Sequence, residues 1–185
     1  MPRIQAIDPA TAPEAAKPML DGLNKKLGRV PNIFKTMAQA PAVLEFYMGA
    51  SGAMAKSSLP ASLREQIALA CAGVTGCDYC ASAHTAIGKG AGLTDAQAAS
   101  ALHGKSDDAR GQAAVTFARA LIADPVHVSD EQVNALRNAG FSDTEILEIV
   151  GVISLNLFTN FFNHVADPEV DFLPLVTTGD VPKAA

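Results

Sequence analysis

The sequence is poor in aromatic and charged residues. Aromatic side chains make up 5% of its 185 residues, tryptophan is absent, and charged side chains make up 18%. The formal net charge of −5 leaves no excess of basic residues for binding nucleic acid or an anionic membrane surface. Since 49% of the residues are apolar, the chain can fill one sizeable core, which excludes a disordered protein.

Long hydrophobic runs are also lacking, and we expect no secretory leader. The N-terminal residues MPRIQAID contain no apolar core of a signal peptide. The longest apolar stretch, residues 146–162, is interrupted by Glu148, Asn156 and Asn160, so we expect no membrane span. We therefore expect a cytoplasmic protein. Thiols are kept reduced there, so a close cysteine pair is more typical of catalysis, redox sensing or metal binding than of a structural disulfide.

Nearly every periodic stretch has helical spacing, and none alternates as a strand does. Glycine, proline and capping residues predict helices over residues 13–27, 32–39, 41–56 and 60–74, and a further helix from Cys77 to about residues 88–92. Capping boxes predict later helix starts at Thr94, Ser129 and Ser142. The sequence thus predicts an all-α fold, a helical bundle in one domain.

Three segments are expected along the chain. Residues 1–58 form an N-terminal helical segment that packs on the core, and residues 59–165 form the helical core itself. Residues 166–185 contain Pro168 and Pro174, which disfavour a helix at and before their own positions. We therefore predict an extended C-terminal arm that lies across its own domain or a neighbouring subunit.

The strongest motif pairs Cys77 with Cys80 and places His84 one turn further on. A helix turns about 100° per residue, so these side chains share one face. Cysteines three positions apart at a helix start can approach closely enough for a disulfide. The positive end of the helix dipole favours the thiolate, and His84 lies within reach as a base. The motif therefore predicts a reactive dithiol.

Glu65 lies on the preceding predicted helix, whose following residues are apolar. A carboxylate on its inner face can receive a proton from His84 and so tune the histidine to act near neutral pH. The run SLRE that ends at Glu65 also resembles a capping box, which would put Glu65 near the helix end. Pro60 indicates an earlier helix start and favours the role in a proton relay.

Glu65, Cys77, Cys80 and His84, at these spacings on two successive helices, resemble the alkylhydroperoxidase D-like family of the carboxymuconolactone decarboxylase superfamily. The stretches NFFNH at 160–164 and VDF at 170–172 resemble its peroxidase-related branch. The resemblance implies an all-helical fold of the alkylhydroperoxidase D-like type. It also implies a thiol-dependent peroxidase that reduces hydroperoxides.

The resemblance further implies a role for each motif residue. Cys80 attacks the peroxide oxygen and becomes a sulfenic acid, and Cys77 resolves it to a disulfide. His84 takes the thiol proton, supported by Glu65. No bound cofactor is expected, because an external dithiol or a lipoyl group on a partner protein supplies the electrons. Family members are homo-oligomers, either trimers or hexamers.

The order of attack is open on the residues alone. The position at the helix start favours Cys77 as the attacking sulfur, by analogy with other Cys-x-x-Cys proteins. Nearness to His84 and the family resemblance favour Cys80, which we adopt. The best-known family member has a histidine where this chain has Tyr79, and a phenol is a poor base near neutral pH.

Other interpretations compete with the peroxidase. Cys77, Cys80 and His84 are possible zinc ligands, with Glu65 or Cys71 as a fourth, although the second ligand pair of common structural sites is lacking. The cysteines are alternatively small core residues. A lactone decarboxylase or isomerase, as in the founding activity of the superfamily, does not rely on this cysteine pair. A non-enzymatic redox sensor is the remaining class.

A polar stripe marks the last predicted helix. Asn156, Asn160, Asn163 and His164 share one face of an otherwise apolar helix, and buried amides need hydrogen-bond partners. A polar seam at a helix or subunit contact is the favoured interpretation, and a lining for the peroxide pocket is the alternative. Cys71 is interpreted as a core residue on its apolar helix. His103 and His127, in predicted loops, are assigned no role.

Overall fold

The computed structural model describes residues 1–181, which contain helices and no strand. The prediction of an all-α fold is therefore confirmed. The nine α-helices of this part of the chain are Lys17–Leu27 (α1), Asn32–Met37 (α2), Pro41–Met54 (α3), Ala61–Thr75 (α4), Asp78–Gly90 (α5), Asp95–Leu102 (α6), Ala109–Ala123 (α7), Asp130–Asn138 (α8) and Asp143–Ala166 (α9). A 3-10 helix, Pro9–Thr11, precedes them.

The capping residues place most helix boundaries where the sequence predicts them. The capping boxes at Thr94, Ser129 and Ser142 each form both of their hydrogen bonds. The largest difference is at the first helix, which begins at Lys17 rather than residue 13, because residues 14–16 form a turn. The predicted helices 32–39 and 41–56 each end two residues earlier than expected. No side chain caps the start of α1, whereas Gly28 ends it in the left-handed conformation that glycine adopts readily.

Helix α4 lies at the centre of the bundle and packs against α5, α6, α7 and α9. Its residues from Ile67 to Gly73 are all buried. At Gly73 a Cβ atom would lie 2.0 Å from the carbonyl oxygen of Leu102, so glycine lets the end of α6 approach the α4 backbone. This close packing fixes the end of α4, from which the cysteine motif follows.

Two clusters of buried side chains fill the interior. One joins the N-terminal helices to the cysteine helix and includes Leu20, Met37 and Leu44 together with Cys77 and Cys80. The other joins α4 to α7, α8 and α9, and it includes Cys71. The N-terminal helices therefore share one apolar cluster with the cysteine helix, while the division of the chain into segments at residues 58 and 165 stays a prediction.

The C-terminal arm lies along α5 in non-helical conformation. Ser82 Oγ accepts a hydrogen bond from the backbone amide of Val176 at 2.8 Å. Asp78 accepts two more, from the amide and the hydroxyl of Thr178, at 2.8 and 2.6 Å. The arm is therefore fastened to the first turns of the cysteine helix. Residues 182–185 of the predicted arm lie outside the described residues.

The longest helix, α9, is apolar enough to cross a membrane by length and composition alone, with a mean hydropathy of 1.4. The sequence predicts no such segment, because three polar residues interrupt the run. The core helix of a soluble protein passes the same test, so one such helix is weak evidence for a membrane span. Here α9 packs against α3, α4, α5 and α7.

Candidate active site

Cys77 and Cys80 lie together at the start of α5. Gly76 ends α4 in the left-handed conformation, and the chain turns at once into the next helix. Cys77 is the residue that caps α5, and its Sγ accepts a hydrogen bond from the Cys80 amide at 3.3 Å. Both are free thiols, each with 3% of its surface exposed. The predicted dithiol at a helix N-terminus is therefore present.

Glu65 and His84 form a direct pair behind the thiols. Glu65 Oε2 lies 2.7 Å from His84 Nδ1, and both side chains are largely buried. Helix α4 begins at Ala61 without a side-chain cap, so Glu65 lies within the helix and the capping-box interpretation is wrong. A carboxylate that holds Nδ1 directs the other ring nitrogen, Nε2, away from Glu65 and leaves it free to exchange a proton.

The pair also sets the charge of His84. Burial by itself lowers the pKa of His84, but the charge and hydrogen bond of Glu65, together with the charge at Cys77, raise it above its ordinary value. No hydrogen bond joins His84 to either sulfur in the part of the chain that the structure describes. Its influence on the thiols is therefore electrostatic, or passes through a molecule bound between them.

The two thiols differ in acidity. A hydrogen bond from Cys80, outweighing burial, lowers the pKa of Cys77, and Asn163 and the charge on His84 act in the same direction. Burial raises the pKa of Cys80, and its hydrogen bond to Cys77 adds to this effect. When the pair ionises, Cys77 is therefore favoured over Cys80 as the thiolate, as expected for a sulfur at a helix N-terminus.

A cavity of about 550 Å³ reaches Cys80 but not Cys77. It lies between the N-terminal helices, α4, α5 and α9, and Glu65 and His84 line it together with Cys80. Most of the remaining lining is apolar and includes Leu23, Ile33, Phe34, Tyr47, Met48 and Phe172. Access therefore favours Cys80 as the sulfur that meets a ligand, whereas the resting charge favours Cys77.

The polar stripe on α9 divides into two parts. Asn160 and His164 bond to Thr75 at the end of α4, at 2.8 and 2.9 Å, as the predicted polar seam between helices. Asn163 instead donates to Cys80 Sγ at 3.1 Å and, more distantly, to Cys77 Sγ at 3.8 Å. Asn156 donates to a carbonyl of its own helix and lines the cavity. Both sequence interpretations thus apply, each to different residues.

Tyr79 has a structural role in this arrangement. Its hydroxyl accepts a hydrogen bond from the Ile33 amide at 3.1 Å and donates to Asp171 at 2.7 Å. Asp171 also pairs with Arg29 at 2.6 Å and accepts from the Asn32 amide. This cluster ties the C-terminal arm to the N-terminal helices, and it commits the phenol to partners other than the thiols. Sequence reasoning assigned no role to Asp171, whose partners are distant in sequence.

The other cysteine and histidines lie apart from this site. Cys71 is packed in the second apolar cluster, as expected of a core residue. His127 pairs with Asp124 at the surface, and His103 lies 4.0 Å from Asp180. Within residues 1–181, no group of three or more His, Cys, Asp or Glu is arranged to hold a metal ion. The geometry thus gives the zinc interpretation no support.

The all-helical fold of this chain is shared with several solved structures. A peroxidase-related protein from Ralstonia eutropha JMP134, described as an alkylhydroperoxidase AhpD core, superposes with a TM-score of 0.83 at 24% identity, covering 94% of this chain and 93% of that one. A peroxidase-related protein from Silicibacter sp. TM1040 gives 0.81 at 22% identity, covering 93% and 95%.

A cysteine-to-alanine variant of the debrominase Bmp8, in complex with 2,3,4-tribromopyrrole, also has this fold, with a TM-score of 0.75 at 23% identity and coverage of 91% of each chain. No curated protein matches the sequence. Residues 41–124 match the carboxymuconolactone decarboxylase family. The resemblance noted in the sequence is confirmed by this match over part of the chain and by the alkylhydroperoxidase D-like fold that the chain shares with its structural neighbours.

Proposed function

We propose that this protein is a thiol-dependent peroxidase that reduces organic hydroperoxides. The observation that carries the proposal is the placement of Cys80, the cavity-facing member of the cysteine pair, and of the Glu65–His84 pair at one mostly apolar cavity. A cavity of about 550 Å³ suits an alkyl or aryl hydroperoxide, whose apolar part replaces water against the lining. The thiolate supplies the nucleophile and the histidine supplies the proton.

The proposed first step starts from a Cys77 thiolate, a Cys80 thiol and a protonated His84. As the hydroperoxide enters, the Cys80 proton passes to Cys77, and the Cys80 sulfur attacks the terminal peroxide oxygen. The oxygen–oxygen bond breaks, and the leaving alkoxide takes a proton from His84. The products are an alcohol and the sulfenic acid of Cys80. The raised pKa of His84 supports this role as acid.

The second step forms the disulfide. His84 takes the proton of Cys77, the Cys77 sulfur attacks the Cys80 sulfur, and the departing hydroxide leaves as water with the proton from His84. An external dithiol then returns two electrons by thiol–disulfide exchange. Both cysteines are 3% exposed, which favours a slender donor such as a lipoyl-type group on a partner protein over direct contact with a protein surface.

The expected assembly and location belong to the same proposal. Leu147, Phe161 and Val165 on α9 are 72%, 59% and 66% exposed, which supports a homo-oligomer, a trimer or hexamer by the family pattern. The net charge of −5 supports neither nucleic acid nor an anionic membrane as partner. We propose a cytoplasmic location, where a dithiol donor keeps the pair reduced.

The test is hydroperoxide consumption with a dithiol reductant present. Cys80→Ser is expected to abolish turnover, and Cys77→Ser to stop after one equivalent with the sulfenic acid of Cys80 trapped by a dimedone-type reagent. Continued turnover by Cys80→Ser would overturn the assignment. Activity on a lactone that survives loss of both cysteines would instead assign the founding chemistry of the superfamily.

Reductive dehalogenation is a second candidate, favoured by the apolar lining around Cys80, which fits a halogenated aromatic ring as well as a hydroperoxide. In that reaction the dithiol supplies two electrons and a proton, and a carbon–hydrogen bond replaces the carbon–halogen bond. The other products are a halide ion and the disulfide. Halide release from a bromopyrrole, without hydroperoxide consumption, would select this candidate.

A further inference from the structure

We propose that Asn163 is a further catalytic residue of this site. Its Nδ2 group holds the Cys80 sulfur as the attacking thiolate, and its Oδ1 atom accepts a hydrogen bond from the hydroxyl end of the hydroperoxide. The first half concerns the thiol alone. The second half rests on the proposed peroxidase function.

The proposed donor role of Asn163 rests on the distances from its side-chain nitrogen, Nδ2, to the two sulfur atoms. Asn163 Nδ2 lies 3.1 Å from Cys80 Sγ and 3.8 Å from Cys77 Sγ, so it favours charge on Cys80 over charge on Cys77. An N–H donor bonds a thiolate more strongly than a thiol, because charge strengthens the bond. The contact thus opposes the burial that disfavours ionisation of Cys80. It makes the sulfur that faces the cavity available for attack.

The proposed acceptor role of Asn163 rests on its side-chain oxygen, Oδ1. Asn163 is 5% exposed, and its Oδ1 is buried without a hydrogen-bond partner among residues 1–181. A buried polar atom without a partner is costly and uncommon, and it points to a ligand or a functional constraint. Asn163 lines the same cavity as Cys80 and His84. A ligand with a hydroxyl group next to the sulfur would satisfy this oxygen.

The two halves fit one reaction geometry. The terminal oxygen of a hydroperoxide carries a hydrogen, and it is the oxygen that the sulfur attacks. A bond from this hydroxyl to Asn163 Oδ1 would hold that oxygen beside Cys80 Sγ, since Nδ2 of the same amide contacts the sulfur. After the oxygen–oxygen bond breaks, the same hydroxyl belongs to the sulfenic acid and keeps its acceptor. Asn163 would thus hold the transferred oxygen before and after the step.

The side-chain amide of Asn160, on the same helix, makes different contacts. Asn160 also lowers the pKa of Cys80, yet its Oδ1 accepts a hydrogen bond from the hydroxyl of Thr75, and its Nδ2 makes no hydrogen bond of standard geometry. Its oxygen is thereby committed to the contact between α4 and α9. Asn163 is therefore the amide with both a sulfur contact and a free acceptor.

The experiment compares two reagents on Cys80 in a Cys77→Ser background. Iodoacetamide alkylation against pH reports the thiolate alone, whereas the rate with cumene hydroperoxide reports the thiolate and its acceptor together. Asn163→Leu removes both groups of the amide. We expect its alkylation profile to shift to higher pH by about one unit, a tenfold loss of thiolate at a given pH. The hydroperoxide rate should fall by about a further fivefold once that loss is corrected for.

Asn163→Asp is the nearly isosteric second variant, which keeps an acceptor and replaces the donor by a charge. Its alkylation profile should shift upwards as well, by at least as much as that of Asn163→Leu. Asn156→Asp places the same charge two helical turns away without a sulfur contact, and it should shift the profile less. Thermal unfolding checks that each variant is folded, and Asn163→Asp serves if Asn163→Leu is not.

The outcomes separate the two proposals. An unchanged alkylation profile in both Asn163 variants would overturn the donor role. Equal losses with the two reagents would overturn the acceptor role. If the profile shifts but the parent protein reacts with hydroperoxide no faster than an ordinary thiol, the peroxidase proposal fails while the donor role stands.

Discussion

Cys71 and Cys77 are separated by little more than one turn of helix and the turn at Gly76, and both are buried, with 0% and 3% of their surface exposed. Around Cys71 lie apolar side chains, among them Ile67 and Ile149. Burial there raises the pKa of Cys71 to about 12. Cys77, in contrast, lies near hydrogen-bond donors and the charge on His84, and the pKa of its thiol is lowered.

The comparison shows that burial does not decide whether a cysteine is reactive. The apolar side chains around Cys71 supply no hydrogen bonds to replace those with water, so the thiolate form of Cys71 is disfavoured. At Cys77 the helix start, the Cys80 thiol and Asn163 each supply a donor to the charged form. The difference is made by polar groups from α5 and α9.

The largest expected difference is in alkylation of the native protein. At pH 8, a thiol with a pKa of about 12 is ionised in about one molecule in ten thousand. Iodoacetamide should therefore label the Cys77–Cys80 pair, through the cavity at Cys80, within minutes and leave Cys71 unlabelled until the protein is unfolded, as peptide mass spectrometry would reveal. Labelling of Cys71 at the same rate as the pair in the folded protein would break the comparison.

Glu65→Gln should weaken the cysteine pair without affecting Cys71. The charge and hydrogen bond of Glu65 raise the pKa of His84, so their loss lowers that pKa and leaves the histidine neutral near pH 7. A neutral histidine no longer lowers the pKa of Cys77, and the alkylation profile should move to higher pH. Hydroperoxide turnover should fall about a hundredfold, as for loss of a general acid or base.

The matched control for this prediction is Glu45→Gln, because Glu45 is an exposed carboxylate on α3 that does not line the cavity. Its alkylation profile should match that of the wild type. A wild-type profile for Glu65→Gln would show that the Glu65–His84 pair is structural only.

Tyr79→Phe should affect stability and leave thiol chemistry alone. The change removes the hydroxyl that accepts from the Ile33 amide and donates to Asp171. Loss of these buried hydrogen bonds should cost about 1–3 kcal/mol in the free energy of unfolding, measured by denaturant titration. The pH profile of Cys77 alkylation should stay unchanged. A displaced profile would instead give Tyr79 a role in the proton relay.

The smallest expected effect is on the pH dependence of stability. His84 has a raised pKa in the folded state, so its pairing with Glu65 stabilises the protein fully below the ordinary histidine pKa. This contribution is lost as the pH rises through the raised pKa. Wild-type unfolding free energy should therefore decline over that interval relative to Glu65→Gln. Parallel curves for the two proteins would contradict the assigned pair.

Local patterns in the sequence predict the helices and much of the site. The capping boxes and the Cys77, Cys80 and His84 motif each span only one or two helical turns. They can therefore be recognised in one short stretch of sequence. The apolar helix around Cys71 likewise predicts its role as a core residue.

Contacts between residues on different helices cannot be predicted from such local patterns. Asn163 reaches Cys80 over 83 positions, and Tyr79 reaches Asp171 over 92. Spacing along the chain carries no information on such pairs, because they depend on how α9 and the C-terminal arm pack on α5. The order of attack by Cys77 and Cys80 was open for the same reason, since access to Cys80 depends on how the N-terminal helices and α9 pack around the cavity.

The most direct test is the time course of thiol loss when cumene hydroperoxide is added to the reduced protein. The account predicts rapid joint loss of Cys77 and Cys80 in the wild type and in Cys71→Ser, with a disulfide as product, and slow loss in Cys80→Ser. Slow loss at the rate of an ordinary thiol in all three proteins would contradict it.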